Sequence, residues 1–429
     1  MDSDTCVLMV KSLSYGGRGV CRREDNKVVF VHGVMPGEQV RARITKEHKT
    51  YAEAEPVEII EPSPERRAPA CPYFGVCGGC DWQHIPYQMQ VEWKQKILLD
   101  EIKRNNPLPG DVYPLVESAD EYGYRGQARM QRAYARDLVL GFFEKGSNKI
   151  IDIPKCPILN PGAGKTFERI REMLERYNIP RLYSIEILSP GNDTALRMKL
   201  RGRAAKTDLD AMDAIYKQMD IQGLMGVSSG PEPITHVFGT PSCSYEMQIG
   251  DRMLEFISPP GGFMQSNMYI NRIMAGHLMD MAGDSKRILE LYSGAGNFTL
   301  PLSLNAREVS AIERNKGLNK MGRLNAKRNR IANIRFMRME SKTAVQMVCD
   351  ESIHFDTIVL DPPRIGAAEI SGRLPKTDAS RIIYISCNPS TLSRDLATLR
   401  KGGFTIKNTR FFDMFPQTYH IESITCLER

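Results

Sequence analysis

The sequence has no run approaching the roughly 18 apolar residues that a membrane-spanning helix needs. Its start, Met1-Asp-Ser-Asp-Thr-Cys6, lacks the basic-then-apolar order of a secretory signal. A cytoplasmic protein with no membrane partner is expected, and a monomer. Ten cysteines in 429 residues are too few for a disulfide scaffold, and a reducing compartment would oppose one. Clustered cysteines then point to metal binding or catalysis. No glycine pattern has the G-x-G-x-x-G spacing of a dinucleotide site. Residues 160–250 offer no motif at all. What remains is ordinary globular material, 41% hydrophobic and 25% charged, long enough for two to four domains. The net charge of +7 gives mild support for a polyanionic partner.

Residues 7–60 read as short strands separated by glycine turns. Val28–Val31, the stretch 38–44 and the stretch 51–60 carry β-type patterns. Tyr15-Gly-Gly-Arg-Gly19, His32-Gly33 and Met35-Pro-Gly37 mark the turns. That pattern predicts a small β-barrel. Lys11, Arg18, Arg22, Arg23, Arg41, Arg43, Lys46 and Lys49 lie within it, and such surfaces bind RNA in small oligonucleotide-binding barrels. Acidic residues between Glu53 and Glu61 nearly balance this charge, so a solvated face is the competing reading. The run Ser12–Val20 resembles the opening of the TRAM domain of RNA-modifying enzymes. Pro62-Ser-Pro-Glu-Arg-Arg-Ala-Pro69 reads as a linker, which sets the first domain at residues 1–62.

Next comes Cys71-Pro-Tyr-Phe-Gly-Val-Cys77-Gly-Gly-Cys80, with a fourth thiol at Cys156. Four thiolates fit a structural zinc or an iron–sulfur cluster. Zinc usually prefers two paired knuckles, so the three-plus-one spacing favours the cluster. The spacing is not the C-x3-C-x2-C of radical enzymes, so radical chemistry is not inferred. A central α/β domain over 70–254 is expected to carry these thiols. Helices are predicted at 91–104, 164–177 and 208–219, with a strand at 184–188. Tyr124, Arg125 and Arg129 alternate on a predicted strand and could stack a base and hold phosphates.

From residue 255 strands alternate with helices, as in a doubly wound sheet. Lys286 to Thr299 reads as strand, glycine turn and helix start, with Gly294 and Gly296 in the turn. About twenty residues on, a second strand ends at Glu313, where an acid suits a ribose diol. A third strand ends in Asp361-Pro-Pro-Arg-Ile-Gly366. This order, without the dinucleotide spacing, points to S-adenosylmethionine and a Rossmann-like methyltransferase domain over 255–429. Arg314 to Arg338 is strongly basic, as an RNA face or a solvated one.

Ile382–Ile385 is apolar throughout, a strand buried on both faces. Ser386 and Cys387 follow at its carboxyl end, where open α/β sheets place ligands. A free cysteine is often just a small buried hydrophobe. On this shelf a thiol is also placed to be a nucleophile. Ser390 or Thr391 is expected to cap the helix that follows.

Asp361-Pro-Pro-Arg-x-Gly followed by Ile383-Tyr-Ile-Ser-Cys-Asn-Pro-x-Thr391 resembles the RNA uracil-C5 methyltransferase family. The resemblance runs from Phe263-Met-Gln-Ser-Asn267 to His420-Ile-Glu422, and the TRAM-like start with the four cysteines resembles the branch acting on large-subunit ribosomal RNA. It implies a 4Fe–4S cluster on Cys71, Cys77, Cys80 and Cys156. It implies Cys387 as nucleophile and Glu422 as base. It implies Gln265, Tyr292, Asn297, Glu313 and Asp361 in the S-adenosylmethionine site, and 23S rRNA as substrate. Transfer RNA is the alternative substrate, and an RNA-binding protein with an inactive methyltransferase fold the alternative class. Intact Cys387 and Glu422 argue against the latter. Cytosine-C5 enzymes place their thiol after the third strand, where this chain has Asp361-Pro-Pro. Adenine amino-methyltransferases want an aromatic residue after the prolines, where it has Arg364.

Overall fold

The structure, a computed structural model, describes residues 5–107, 111–134, 137–230 and 233–429. The acidic start at residues 1–4 lies outside them. No helix among the described residues is long and apolar enough to cross a membrane.

Five strands, Thr5–Leu13, Gly19–Arg22, Val28–Val31, Gln39–Glu47 and Tyr51–Glu61, close into a barrel. Alternate residues fill it, among them Leu8, Val10, Val29, Val31, Val40 and Ala52. Several of the basic residues expected to face RNA are paired with acids. Arg18 meets Glu53 at 3.5 Å, Arg41 meets Glu58 at 3.3 Å, and Arg23 bridges Asp25 and Glu47. The proline-rich stretch after the barrel is tied down at both of its arginines. Arg66 forks onto the buried Glu38 at 2.6 and 3.0 Å. Arg67 reaches Glu121 at 2.7 Å and the carbonyl of Gln83 at 3.0 Å. Polar composition suggested a free connector, but two guanidinium forks with fixed carboxylate partners hold it in place.

The motif-poor middle of the chain forms a seven-stranded sheet with its own core. Its spatial order is Thr235–Gly239, Gly223–Ser228, Ala195–Leu200, Leu182–Leu188, Gln127–Tyr134, Leu138–Phe143, Ile150–Asp152. Only the pair Ala195–Leu200 and Gly223–Ser228 is parallel. Helices Pro161–Arg176 and Lys206–Gln218 cover it, packing Phe167, Ile170, Met212 and Ile215 against Ile185, Met198 and Leu224. Asn160 caps the first of them, accepting from Ala163 N at 2.8 Å, with Pro161 in its first turn.

The carboxyl-terminal part is an eight-stranded sheet, ordered Ile334–Met337, Glu308–Ile312, Arg287–Leu291, Thr357–Leu360, Arg381–Ser386, Glu422–Glu428, Thr405–Phe412, Asp111–Val112. The first five strands are parallel, and Glu422–Glu428 runs antiparallel to both of its neighbours. Side chains alternate between two cores. Leu289, Leu291, Leu360, Ile382 and Tyr384 face helices Ser341–Asp350 and Pro389–Lys401. Ile288, Val309, Val359, Ile383 and Ile385 face helix Met268–Ala282. Chain order reverses between Arg287–Leu291 and Thr357–Leu360. That switch point opens a crevice at the carboxyl ends of the strands.

Within the span 70–254, two segments besides strand Asp111–Val112 join this carboxyl-terminal part. Trp82, Ile85, Ile97, Leu98 and Ile102 are in the same core as Leu289 and Leu360. They lie on and before helix Tyr87–Lys103, which meets helix Pro389–Lys401 through Ser390 Oγ donating to Glu101 at 2.9 Å. The hairpin Cys243–Ile249 and Arg252–Ser258 packs into the opposite core.

Candidate active site

A cleft and, beside it, a cluster of side chains around the thiol lie at the carboxyl edge of the large sheet. The first lies at the switch point. Strand Arg287–Leu291 ends in Tyr292, which turns with φ of 64°, a left-handed conformation costly for a tyrosine. Gly294 and Gly296 follow with φ of 57° and 89°. At Gly296 a Cβ would meet Leu300 at 2.8 Å, so the turn tolerates no side chain there. Gln265, Tyr292, Asn297 and Asp361 line this cleft together, as their assignment to one site requires. Glu313 stands one hydrogen bond behind them. Its carboxylate accepts from Gly294 N at 3.1 Å and from Asn315 N at 2.6 Å, which fixes the turn. Asn297 is committed to a reciprocal amide pair with Asn271, 2.9 Å each way.

Glu290 also lines this cleft and did not stand out in the sequence. It is 2% exposed, with Oε2 lacking any partner, and burial pushes its carboxyl up to about 8. Asp361 is pushed up to about 7 by burial. The signal was present: Glu290 is an acid inside the apolar strand Ile288-Leu-Glu-Leu291.

The second is the cluster around the thiol. The ladder between Arg381–Ser386 and Glu422–Glu428 ends at the pair Ser386–Ser423. Continuing that register by one residue sets Cys387 against Glu422. Asp361 arrives on the neighbouring strand from the other side. Burial pushes the Cys387 thiol up to about 12, and Glu422 and Asp361 add to the effect. Glu422 is raised to about 8, by burial first and then by Asp361. The guanidinium of Arg364 opposes both shifts. Arg364 is therefore the cation of this cluster, a role not foreseen when it was noted only as a missing aromatic. Its Nη2 lies 3.5 Å from His420 Nε2, and burial with Arg364 lowers that imidazole to about 4.

The cap of helix Pro389–Lys401 differs from expectation. Neither Ser390 nor Thr391 caps it. Asn388 does, accepting from Ser390 N at 3.1 Å and Thr391 N at 3.5 Å, with Pro389 in the first turn. Proline has a helical φ and no N–H to satisfy, so the helix starts one turn earlier.

The four expected cluster cysteines surround one cavity of about 760 Å³. Val76 O and Gly78 N tie the Cys71–Cys80 loop to Lys145 N and Phe143 O at the edge of the central sheet. Burial raises the thiols of Cys80 to about 12 and of Cys156 to about 11. Among the described residues, no three His, Cys, Asp or Glu side chains converge to hold a single metal ion. Arg125 and Arg129 line the same cavity, but Arg129 is paired with Glu186 at 2.7 Å. Tyr124 is not available for base stacking. It is buried, and its hydroxyl donates to Pro416 O at 3.0 Å.

Comparison with known proteins agrees with this arrangement. The TRAM domain matches residues 6–57, and the tRNA (uracil-5-)-methyltransferase family matches residues 86–429. A protein of Alkalilimnicola ehrlichii, named 23S rRNA (uracil(1939)-C(5))-methyltransferase RlmD, is 34% identical over 98% of this chain and 96% of its own length. A protein of the same name from Stenotrophomonas maltophilia is 35% identical over the same shares. The crystal structure of Pyrococcus abyssi tRNA (uracil-54, C5)-methyltransferase in complex with S-adenosyl-L-homocysteine shares the fold. Its TM-score is 0.76 at 21% identity, with 98% of this chain and all of that one covered. A barrel followed by a thiol-bearing switch-point sheet is thus accounted for: the chain belongs to the tRNA (uracil-5-)-methyltransferase family, with a TRAM domain at its amino end.

Proposed function

We propose that this protein methylates C5 of a uridine in 23S rRNA, giving 5-methyluridine, with S-adenosylmethionine as methyl donor. The observation that carries the reading is the register that sets Cys387 against Glu422 beside the switch-point cleft. Uracil C5 is a poor nucleophile. Addition of the Cys387 thiolate at C6 makes C5 an enolate carbon able to take a methyl group. Glu422, as carboxylate, then removes the C5 proton and the thiolate leaves. The thiol is raised by its burial, so Arg364 is the group that favours the thiolate. The reacting carbons lie within the ring, so the uridine must leave its stack.

S-adenosylmethionine supplies a sulfonium methyl group when bound. The switch-point cleft suits a cation, because Glu290 and Asp361 are buried acids whose ionised forms a positive ligand would stabilise. Gln265, Tyr292 and Asn297 line the same space, and Glu313 braces its turn.

Cys71, Cys77, Cys80 and Cys156 all line one cavity, and their three-plus-one spacing supports a 4Fe–4S cluster over zinc with its usual paired knuckles. The cluster would cross-link the cysteine loop to the segment bearing Cys156. In this reading residues 1–62 serve RNA binding, 70–254 carry the cluster, and 255–429 carry out methyl transfer.

The test is transfer of labelled methyl groups from S-adenosylmethionine to protein-free 23S rRNA, with transfer RNA in parallel. Incorporation into 23S rRNA, lost in Cys387→Ala, is expected. Incorporation into transfer RNA alone would move the substrate to the alternative class. Anaerobically purified protein should hold roughly four irons per chain, and stoichiometric zinc would overturn the cluster.

A further inference from the structure

The amino-terminal barrel reaches the thiol. Tyr15, in the turn between the first two barrel strands, donates its hydroxyl to the main-chain carbonyl of Cys387 at 3.3 Å. Its ring meets Tyr419 edge-on, with centroids 5.5 Å apart at 89°. Tyr419 in turn lies against His420, centroids 4.4 Å apart. One side chain thus touches the backbone of the candidate nucleophile and the loop that enters the candidate base.

The turn carrying Tyr15 is docked firmly. Ser14 N donates to Arg18 O at 2.9 Å, and Gly17 N to Ser14 O at 3.1 Å. Trp82, fully buried, donates its indole N–H to Gly17 O at 3.1 Å. Gly17 has a φ of +80°, and a Cβ there would stand 3.0 Å from Tyr419 and 3.2 Å from Asp81. Leu13 and Met35 of the barrel belong to the core that also holds Leu360 and Tyr384. The barrel is therefore part of the wall of the catalytic domain.

The carbonyl of Cys387 has reason to need such a partner. The strand ladder ends at Ser386, and the following helix begins at Pro389. Cys387 lies between the two, where neither pattern fixes the peptide plane after it. Asn388 N–H holds one edge by donating to Ser386 Oγ at 3.1 Å, and the Tyr15 hydroxyl holds the other. That plane sets the direction of the Cα–Cβ bond and so of the sulfur.

We infer that Tyr15 is a positioning residue for Cys387, so that the barrel completes the active site as well as binding RNA. This rests on the reading of Cys387 as nucleophile. Tyr15→Phe keeps the ring against Tyr419 and removes only the hydroxyl. Methyl transfer to protein-free 23S rRNA should lose roughly ten- to a hundredfold in kcat, as expected for a misaligned reacting atom. The KM for RNA should stay at its wild-type value. Formation of the covalent RNA adduct, followed in a Glu422→Gln background, should slow by the same factor. Gly17→Ala displaces the turn with Tyr15 intact and should reproduce the kcat loss, which keeps the test open if Tyr15→Phe does not fold. Unchanged adduct formation in a folded variant, or a loss confined to KM, overturns the inference. Residual activity in Cys387→Ala would instead overturn the nucleophile reading, so the two failures are distinguishable.

Discussion

The shelf bearing Cys387 is built on three adjacent strands, whereas the Cys71–Cys80 loop has no strand or helix of its own. On the shelf, Cys387 and Asp361 follow buried strands and Glu422 opens one, and the ladder register fixes their places. In the loop, the thiols are held by turns and by a few hydrogen bonds to the edge of the central sheet. The shelf is preorganised by covalent and hydrogen-bonded neighbours alone. The loop surrounds a space whose occupant would supply the missing cross-links. The difference predicts that substitutions on the shelf act on chemistry, and those in the loop on assembly.

The largest effect should come from the shelf itself. Cys387→Ala should lower kcat on the order of 10⁴-fold or more and form no covalent RNA species. Glu422→Gln keeps size and hydrogen bonding but loses the base. It should accumulate a methylated adduct that survives denaturing electrophoresis. A folded, cofactor-binding Glu422→Gln enzyme that turns over normally, or fails without trapping an adduct, would remove Glu422 from the reaction.

A buried ion pair beneath the shelf comes next. Lys94 and Asp413 are both fully buried and 2.6 Å apart, under the segment that leads from the sheet to Glu422. Burial lowers the Lys94 pKa and Asp413 opposes that shift. Removing one partner strands the other, so Lys94→Ala should destabilise by about 3–5 kcal/mol in denaturant unfolding. Lys94→Met with Asp413→Leu should recover most of that loss. A double variant no better than the single one would show that the segment needs the charges themselves.

The pH dependence should separate the base from the nucleophile. Glu422 is raised to about 8, so below that pH most of it is a neutral acid. A base must be the carboxylate and the nucleophile a thiolate. Below about pH 8, kcat/KM should therefore fall more steeply than above it, by about a further tenfold per unit. The Cys387 thiol, pushed up to about 12, keeps it rising above 8. Adduct accumulation in Glu422→Gln should show no change of slope near 8. In the loop, if the proposed cluster is there, Cys80→Ser should hold less iron than wild type and weaken RNA binding about tenfold, or about 1.4 kcal/mol. Its affinity for S-adenosylmethionine should be unchanged. Loss of cofactor binding in that variant would abolish the distinction between shelf and loop.

Much of the shelf was legible because its signals are local. Ile382–Ile385 has no polar position, so burial on both faces follows directly, and all four side chains are at most 1% exposed. The glycine turn after Leu291 and the acid at Glu313 were visible for the same reason. What escaped depends on partners distant in the chain. Helix Tyr87–Lys103 reads as an ordinary amphipathic helix, and nothing in it announces packing on residues some 300 positions later. Tyr124 looked like a stacking platform until Pro416 O claimed its hydroxyl. Charge balance in the barrel was visible in the acids of 53–61. Which carboxylate each arginine meets was not, because Glu53 and Glu58 lie on another strand and Glu38 lies 28 residues before Arg66. Residues 160–250 carried no motif, since a mostly antiparallel sheet with two covering helices needs only patterning.

The smallest effect tests how far the shelf depends on one amide. The Asn388 side chain does two things. Its oxygen caps helix Pro389–Lys401, and its Nδ2 donates to Arg364 O at 3.0 Å. The first holds the helix, and the second holds the turn that carries the cation of the thiol cluster. Asn388→Ala loses both and should cost about 1 kcal/mol of stability, the usual worth of such a cap. Asn388→Ser keeps a capping oxygen but cannot reach Arg364 O with an amide donor. Its stability should match wild type within a few tenths of a kcal/mol. If the tether to Arg364 matters, Cys387 should then be alkylated more slowly by iodoacetamide at fixed pH, because a displaced Arg364 favours the thiolate less. Equal alkylation rates in Asn388→Ser and wild type would show that the helix cap is the whole contribution of Asn388, and that Arg364 is held by Thr391 Oγ1, which donates to the same carbonyl at 3.3 Å.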